Sequence, residues 1–321
     1  MHYTGRRGLV AVAMVAAAVL AACGSDAEAD GSGAITVAYA SDNEATALVA
    51  AVTRGLRAEA EEAGVELQVS DNQQDSAKIV SFARQAATTK PSVFIEYNSV
   101  ADANARVGSI LAEAGVPVLA VQYAIEGAPL YAIDNTEVGR IGGGALATAA
   151  VEAWGEQTPV QALLLALPQG GQPQLERRDG ARAALEEGLP GVEITEADTR
   201  QDPNAARQVT ADFLSAHPGD RVVVWAHVDS MASAAVAAAR SAGREDDVLV
   251  AGTGGDESIF PELRRDATPL VGTVGLFPED WGKQIVDLAV RIADGEEVPE
   301  ITHPDRIEMI TPANIDEIYP E

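Results

Sequence analysis

The 321-residue chain is predicted to fold as an α/β protein of two doubly wound parallel-sheet lobes. Three observations carry this. From residue 34 onward, short apolar segments alternate with longer segments of helical period. Most of the short segments, 118–121 and 222–226 among them, are apolar throughout rather than at every second residue, as strands are when helices cover both faces of a parallel sheet. The alternation runs through one set of units, reaches 131–133, and starts again, which builds two sheets in succession.

In the first run, strands are expected at 35–39, 65–69, 93–97, 118–121 and 131–133, with helices at 46–63, 76–88 and 100–114. Gly64 and Gly115 stand where the first and third helices stop. Glycine takes the left-handed closing turn without a Cβ clash. In the second run, helix 138–154 leads into the apolar strand 161–167, and helix 175–187 ends at Gly188. Strand 192–197, helix 205–216, strand 222–226, helix 231–242 and strand 248–251 repeat the unit. A helix near 259–266, a strand at 270–274, a long helix at 278–294 and a strand at 306–310 complete the chain. Ligands of such sheets bind beyond the carboxyl ends of the strands. Two lobes facing each other bring those ends to one cleft.

The composition agrees with a folded domain: 47% of residues are hydrophobic, which argues against disorder and against a multi-span membrane protein. The formal charge of −27 repels phosphate backbones, so no nucleic-acid partner is expected. Arg6 and Arg7 precede a charge-free apolar run at 9–22. That run is shorter than the roughly 20 residues of a membrane span and has the form of a secretory signal. It ends Leu20-Ala21-Ala22-Cys23, which resembles the lipobox of bacterial lipoproteins. The resemblance implies cleavage of 1–22 and lipidation of Cys23, leaving the protein lipid-anchored on the extracytoplasmic face of the cell membrane. Residues 24–33 are small, polar and acidic, so 23–33 is read as a flexible tether. Cys23 is the only cysteine, which excludes disulfides within the chain and zinc sites built on cysteine.

Motifs for catalysis are missing. No G-x-x-x-x-G-K-[ST] or G-x-S-x-G occurs, and His2, His217, His227 and His303 form no H-E-x-x-H pair. Gly139, Gly142, Gly143 and Gly144 do not follow a strand in the dinucleotide-binding order. Neither an enzyme, a cofactor nor a metal is therefore expected.

Several stretches, in order, resemble the ribose-type periplasmic sugar-binding family of ABC importers. They are 55–64 (GLRAEAEEAG), Val116-Pro117-Val118, Asp134-Asn135 with Gly139, Arg177-Arg178-Asp179-Gly180, Asp202 with Ala206, and 213–218 (FLSAHP). The resemblance spans roughly 34–310. It implies a type I periplasmic binding protein: an N-terminal lobe of 34–134 and 277–302, a C-terminal lobe of 135–276 and 303–321, and hinge crossovers that close the lobes on a ligand. It implies a small-molecule ligand (a sugar or polyol), delivery to an ABC permease, and a monomer. The same two-state hinge would equally serve a sensor signalling to a membrane receptor or kinase, and a non-sugar ligand remains an alternative.

The sequence departs from the family at the sugar contacts. Ala45-Thr46-Ala47-Leu48 lacks the two rings of the family's Asn-Pro-Phe-Phe segment, Gln122-Tyr123 replaces Asp-Arg, and Gln201, Val228, Gly254 and Leu276 replace further contacts. Arg177 alone matches cleanly, so ribose itself is not expected. Arg177 offers a planar fork of donors for hydroxyls, or is a surface arginine near a helix start. Gln122 and Tyr123 end a strand at the expected cleft rim, unless they are an ordinary loop pair. Asn43 and Glu44 either supply polar contacts or cap the following helix. His227 and Asp229 follow strand 222–226, and Asp229 can instead cap a helix. Asp256 lies past the turn Gly252-Thr253-Gly254-Gly255, and Asn98 ends the third strand. Trp154, Trp225 and Trp281 are expected in the core, with Trp281 the one to watch for ligand stacking.

Overall fold

A computed structural model describes residues 34–320. The expected signal 1–22, Cys23 and the tether lie outside the described residues. Strands β1 (Thr36–Ser41), β2 (Glu66–Asp71), β3 (Val93–Tyr97), β4 (Val118–Val121), β5 (Leu130–Tyr131) and β11 (Ile301–Thr302) form one sheet, in the order β11-β5-β4-β3-β1-β2. Strands β6 (Val160–Ala166), β7 (Glu193–Asp198), β8 (Arg221–Ala226), β9 (Val248–Gly254), β10 (Leu270–Gly275) and β12 (Glu308–Ile310) form the second, in the order β12-β10-β9-β8-β6-β7. Both sheets therefore fan out from a first strand in the same way, giving two α/β lobes. All pairs are parallel except β10–β12, which is antiparallel.

Helices α1 (Ala47–Ala63), α2 (Ser76–Thr89), α3 (Ala101–Ala114) and α9 (Trp281–Ala293) belong with the first sheet. Helices α4 (Asn135–Trp154), α5 (Gln172–Gly188), α6 (Pro203–Ala216), α7 (Asp229–Ser241), α8 (Phe260–Leu263) and α10 (Ile315–Ile318) belong with the second. Local chemistry sets their ends. Gly64 and Gly115 close α1 and α3 at φ of 70° and 69°. Asp75, Asp134 and Asp202 each accept a backbone N–H at the start of α2, α4 and α6.

The central strands are sealed on both faces: Leu163, Leu164 and Leu165 of β6 and Val222 to Ala226 of β8 are fully buried. The edge strands β2 and β7 are instead half polar and partly exposed, so the uniformly apolar pattern is a property of interior strands only. Three details differ from the sequence expectation. Strand β11 is two residues long with Ile301 half exposed, too short to leave a periodic signal. The helix expected near 259–266 is a 3-10 turn, Glu257–Ile259, followed by the short α8. The helix expected from 278 starts at Trp281, because Phe277 sits at φ 46° and the turn after it is closed by Asp280 N donating to Phe277 O at 3.0 Å.

Two helix crossings rest on glycine. A Cβ on Gly139 of α4 would overlap the carbonyl of Arg177 in α5, and one on Gly180 would overlap the carbonyl of Thr136. The α1–α9 crossing is similar, with Gly55 and Gly282 backbone to backbone. Beside the end of the first sheet, Glu96 is 1% exposed. Its Oε1 accepts from Asn72 Nδ2 at 2.9 Å, while its Oε2 and Asn72 Oδ1 have no partner. Burial, reinforced by the charge of Asp42 and only partly offset by the Asn72 bond, pushes its carboxyl up to about 8.

Candidate functional site

The carboxyl ends of both sheets open onto a cavity of about 360 Å³, the position the strand-end rule selects. The first sheet contributes Tyr97, the last residue of β3, and Gln122 and Tyr123, which directly follow β4; Thr46 to Leu48 add the start of α1. The second contributes Gln174 and Arg177 from α5, Gln201 after β7, His227 after β8, and Thr253, Gly254 and Asp256 at and beyond the end of β9. Asn135, the first residue of α4, lies where the chain passes from one sheet to the other.

Arg177 is 7% exposed. Its Nε and Nη2 both donate to Asn135 Oδ1, at 3.1 and 2.7 Å. The close α4–α5 crossing at Gly139 brings its backbone this near to α4. Burial pulls its pKa down to about 10, with the phenols of Tyr123 and Tyr97 acting the other way, so it is a cation at neutral pH. Tyr97 and Tyr123 have ring centroids 6.4 Å apart at a tilt of 34°. Burial pushes both phenols upward, and they stay neutral donors. His227 is 1% exposed. Burial, then the charge of Arg177, lowers it to about 3, so the imidazole is neutral at physiological pH.

Unspent hydrogen-bonding capacity collects here. Gln122 Nε2, Gln174 Oε1 and His227 Nδ1 are buried and without a protein partner. Buried polar atoms are costly unless paired, so these three call for polar partners from water or a ligand in the cavity. Gln122 and Gln201 also hold left-handed backbone, at φ of 64° and 57°, a conformation that costs a non-glycine residue about 1 kcal/mol or more and that gathers at functional sites.

Of the residues selected from sequence, Arg177, Gln122, Tyr123, His227 and Asp256 line the cavity. Asn43, Glu44, Asn98 and Asp229 stand outside the lining, each with a structural partner. Asn43 Oδ1 accepts from Ala45 N at 3.0 Å, and Glu44 Oε1 accepts from Thr53 Oγ1 at 2.6 Å. Asn98 pairs with Asn104 at 2.8 Å and accepts from Val100 N at 2.8 Å, ordering the start of α3. Asp229 is fully buried; it accepts from Thr273 Oγ1, from Gly255 N at 2.7 Å and from Asp256 N at 2.8 Å. It braces the turn that carries Asp256. Burial raises its carboxyl to about 6 despite these bonds. Trp281 borders the cavity but is 1% exposed; its Nε1 donates to Leu276 O at 2.9 Å and its ring meets Tyr131 edge-on. Tyr97, Gln174, Asn135 and Thr253 were not singled out from sequence. Tyr97 and Thr253 are strand-end residues, the available signal; Gln174 is brought in only by the α4–α5 crossing.

A second cavity of about 410 Å³ shares Ala47, Leu48, Gly254 and Asp256 with the first. The small side chains Ala47 and Gly254 thus leave the cleft continuous toward Arg54 and Glu279, which are paired at 2.9 Å.

A family model described as the periplasmic binding protein domain matches residues 27–297. This chain belongs to that family. No curated protein matches the sequence. Solved periplasmic binding proteins share the fold. An ABC transporter solute-binding protein from Mycobacterium smegmatis with bound glycerol is 24% identical at a TM-score of 0.75, over 90% of this chain and 98% of that one. One from Actinobacillus succinogenes 130z with bound D-allose is 19% identical at 0.74, over 88% and 99%. One from Bacillus halodurans C-125 with bound myo-inositol is 20% identical at 0.73, over 90% and 98%. Among the described residues no helix is long and apolar enough to cross a membrane.

Proposed function

We propose that this protein is an extracytoplasmic, lipid-anchored solute-binding protein. It captures a small carbohydrate-like molecule by hinge closure and hands it to an ABC permease. The observation that carries the reading is the cavity of about 360 Å³ holding Gln122 Nε2, Gln174 Oε1 and His227 Nδ1 buried and unpartnered. Its size falls within the range of small-ligand sites, and a polyhydroxylated molecule supplies both donors and acceptors to such groups. Tyr97 and Tyr123 offer apolar ring surface in place of the rings absent from 45–48. The glycerol, allose and inositol bound by proteins of the same fold support the ligand class.

In this reading the lobes are 34–134 with 277–302, and 135–276 with 303–321, and they turn about the crossovers. One lobe pair encloses one site, so the unit is a monomer.

A thermal-shift screen of pentoses, hexoses, polyols and nucleosides tests the ligand class. A ligand at 100 times its Kd adds about 2.7 kcal/mol of stability. Hits confined to amino acids or peptides refute the carbohydrate reading.

A further inference from the structure

The cavity holds a cation that the protein does not neutralise. Arg177 is buried, and its hydrogen bonds are both to the neutral Asn135 Oδ1. Among the described residues no carboxylate lies within 4 Å of its guanidinium. The groups close enough to act on it, or to feel it, are the phenols of Tyr97 and Tyr123 and the imidazole of His227, all neutral. Two acids on the same side of the fold do not pair with it. Asp42 accepts from Ser99 N and Oγ and from Gln74 Nε2. Asp256 lines the shared border of the two cavities and is exposed.

A buried guanidinium without a counter-ion is costly, and nature seldom leaves one so. The bonds to Asn135 use Nε and Nη2, which leaves Nη1 free of protein partners. The neighbouring Gln122 Nε2 is a second buried donor without a partner. Starts of α4 and α5 border the same space through Asn135, Pro173 and Gln174, and helix N-termini favour negative charge. Arg177 is the one cation among the lining side chains, and the one lining carboxylate, Asp256, forms no ion pair with it, so a single negative charge on the ligand would find its partner at Arg177. Hydroxyl recognition remains available farther along, at Thr253, Ser230 and Asp256.

We infer that the ligand is an acidic carbohydrate, its carboxylate seated on Arg177 and Gln122 and its hydroxyls directed toward Thr253, Ser230 and Asp256. The inference rests on the carbohydrate reading and narrows it to aldonates and uronates.

Calorimetric titration of the purified protein at pH 7 with matched compounds tests it: galactose, galacturonate, galactonate, galactose 1-phosphate, ribitol and ribonate. The acid of a pair is expected to bind at least ten-fold more tightly than its neutral counterpart. In Arg177→Gln, which keeps an amide donor but no charge, that gap shrinks below about three-fold; Arg177→Lys, which keeps the charge but not the fork, retains part of it. A far-UV spectrum and melting curve establish that both variants are folded, and the wild-type comparison stands without them. Neutral compounds binding as tightly as their acids overturn the inference and leave the carbohydrate reading intact. Tightest binding of the phosphate overturns the assignment to a carboxylate. Failure of every neutral and acidic carbohydrate to bind at millimolar concentration overturns the carbohydrate reading itself.

Discussion

Replacing Glu96 with glutamine isolates what a buried acid in β3 does to stability. Glu96 is 1% exposed, and the Asn72 amide is its hydrogen-bond partner. Its carboxyl rises from 4.5 to about 8, chiefly through burial. Between those two values the unfolded chain has released the proton and the folded chain retains it. Stability is then full below about pH 4.5, falls by about 1.4 kcal/mol per unit as pH rises, and levels off above about 8. The total loss is about 5 kcal/mol, of which about 3 kcal/mol has been incurred by pH 7. Glutamine keeps the acceptor for Asn72 Nδ2 and carries no proton to lose. It also brings a donor to a pocket where Asn72 Oδ1 lacks a partner. The variant is therefore expected to melt on the order of 5–10 °C above the wild type at pH 7. The gap should close to under about 1 kcal/mol at pH 5. Melting curves from pH 5 to pH 9 measure this. Parallel profiles for the two proteins, or a variant less stable at pH 7, would refute the assignment of the pH dependence to Glu96.

Gly139→Ala forces a methyl group against the Arg177 carbonyl and is expected to cost about 1–3 kcal/mol; an unchanged urea midpoint would contradict the close α4–α5 approach. Asp229→Asn places an amide donor among Thr273 Oγ1, Gly255 N and Asp256 N. A loss of about 1–3 kcal/mol is expected, with faster hydrogen exchange at Gly255 and Asp256; exchange equal to wild type would show that the turn does not depend on this brace. Cys23→Ser should move the expressed protein from the membrane fraction to the soluble extracytoplasmic fraction, and continued membrane association would rule out anchoring through this residue.

Much of the fold is legible because parallel-sheet interiors leave a strong signal. Strands β3 and β4 come just after prolines and stop at polar residues, β4 runs apolar and β3 does so but for Glu96, and their bounds can be read to the residue. Strand β11 carries no such signal, since two residues show no period and their pairing with β5 depends on chain 171 residues away. The glycines of α4 are visible as an oddity at 139–144, but their purpose is a helix crossing, and crossings are tertiary facts.

The site is legible to the extent that strand ends define it. Gln122, Tyr123, His227 and Asp256 follow strands and line the cavity. Asn43, Asn98 and Asp229 follow strands as well, yet their side chains turn to nearby backbone. The rule locates a residue along the chain and is silent about the rotamer, and short polar side chains compete for local N–H groups. Trp281 illustrates the opposite case: a large ring at the cavity border whose surface is taken up by Tyr131 and Leu276.

The cleft has an uneven division of labour between its walls. Both charged side chains of its lining, Arg177 and Asp256, hang from the second sheet's elements, whereas Tyr97, Gln122, Tyr123 and Thr46 on the opposing wall are uncharged. A charged guest would therefore find its ionic partners on one wall and only uncharged groups, Gln122 among them, on the other. If the proposed lobes part, release is expected in two stages, uncovering and then detachment, and the stage that breaks the contact with Arg177 is the one expected to respond to ionic strength.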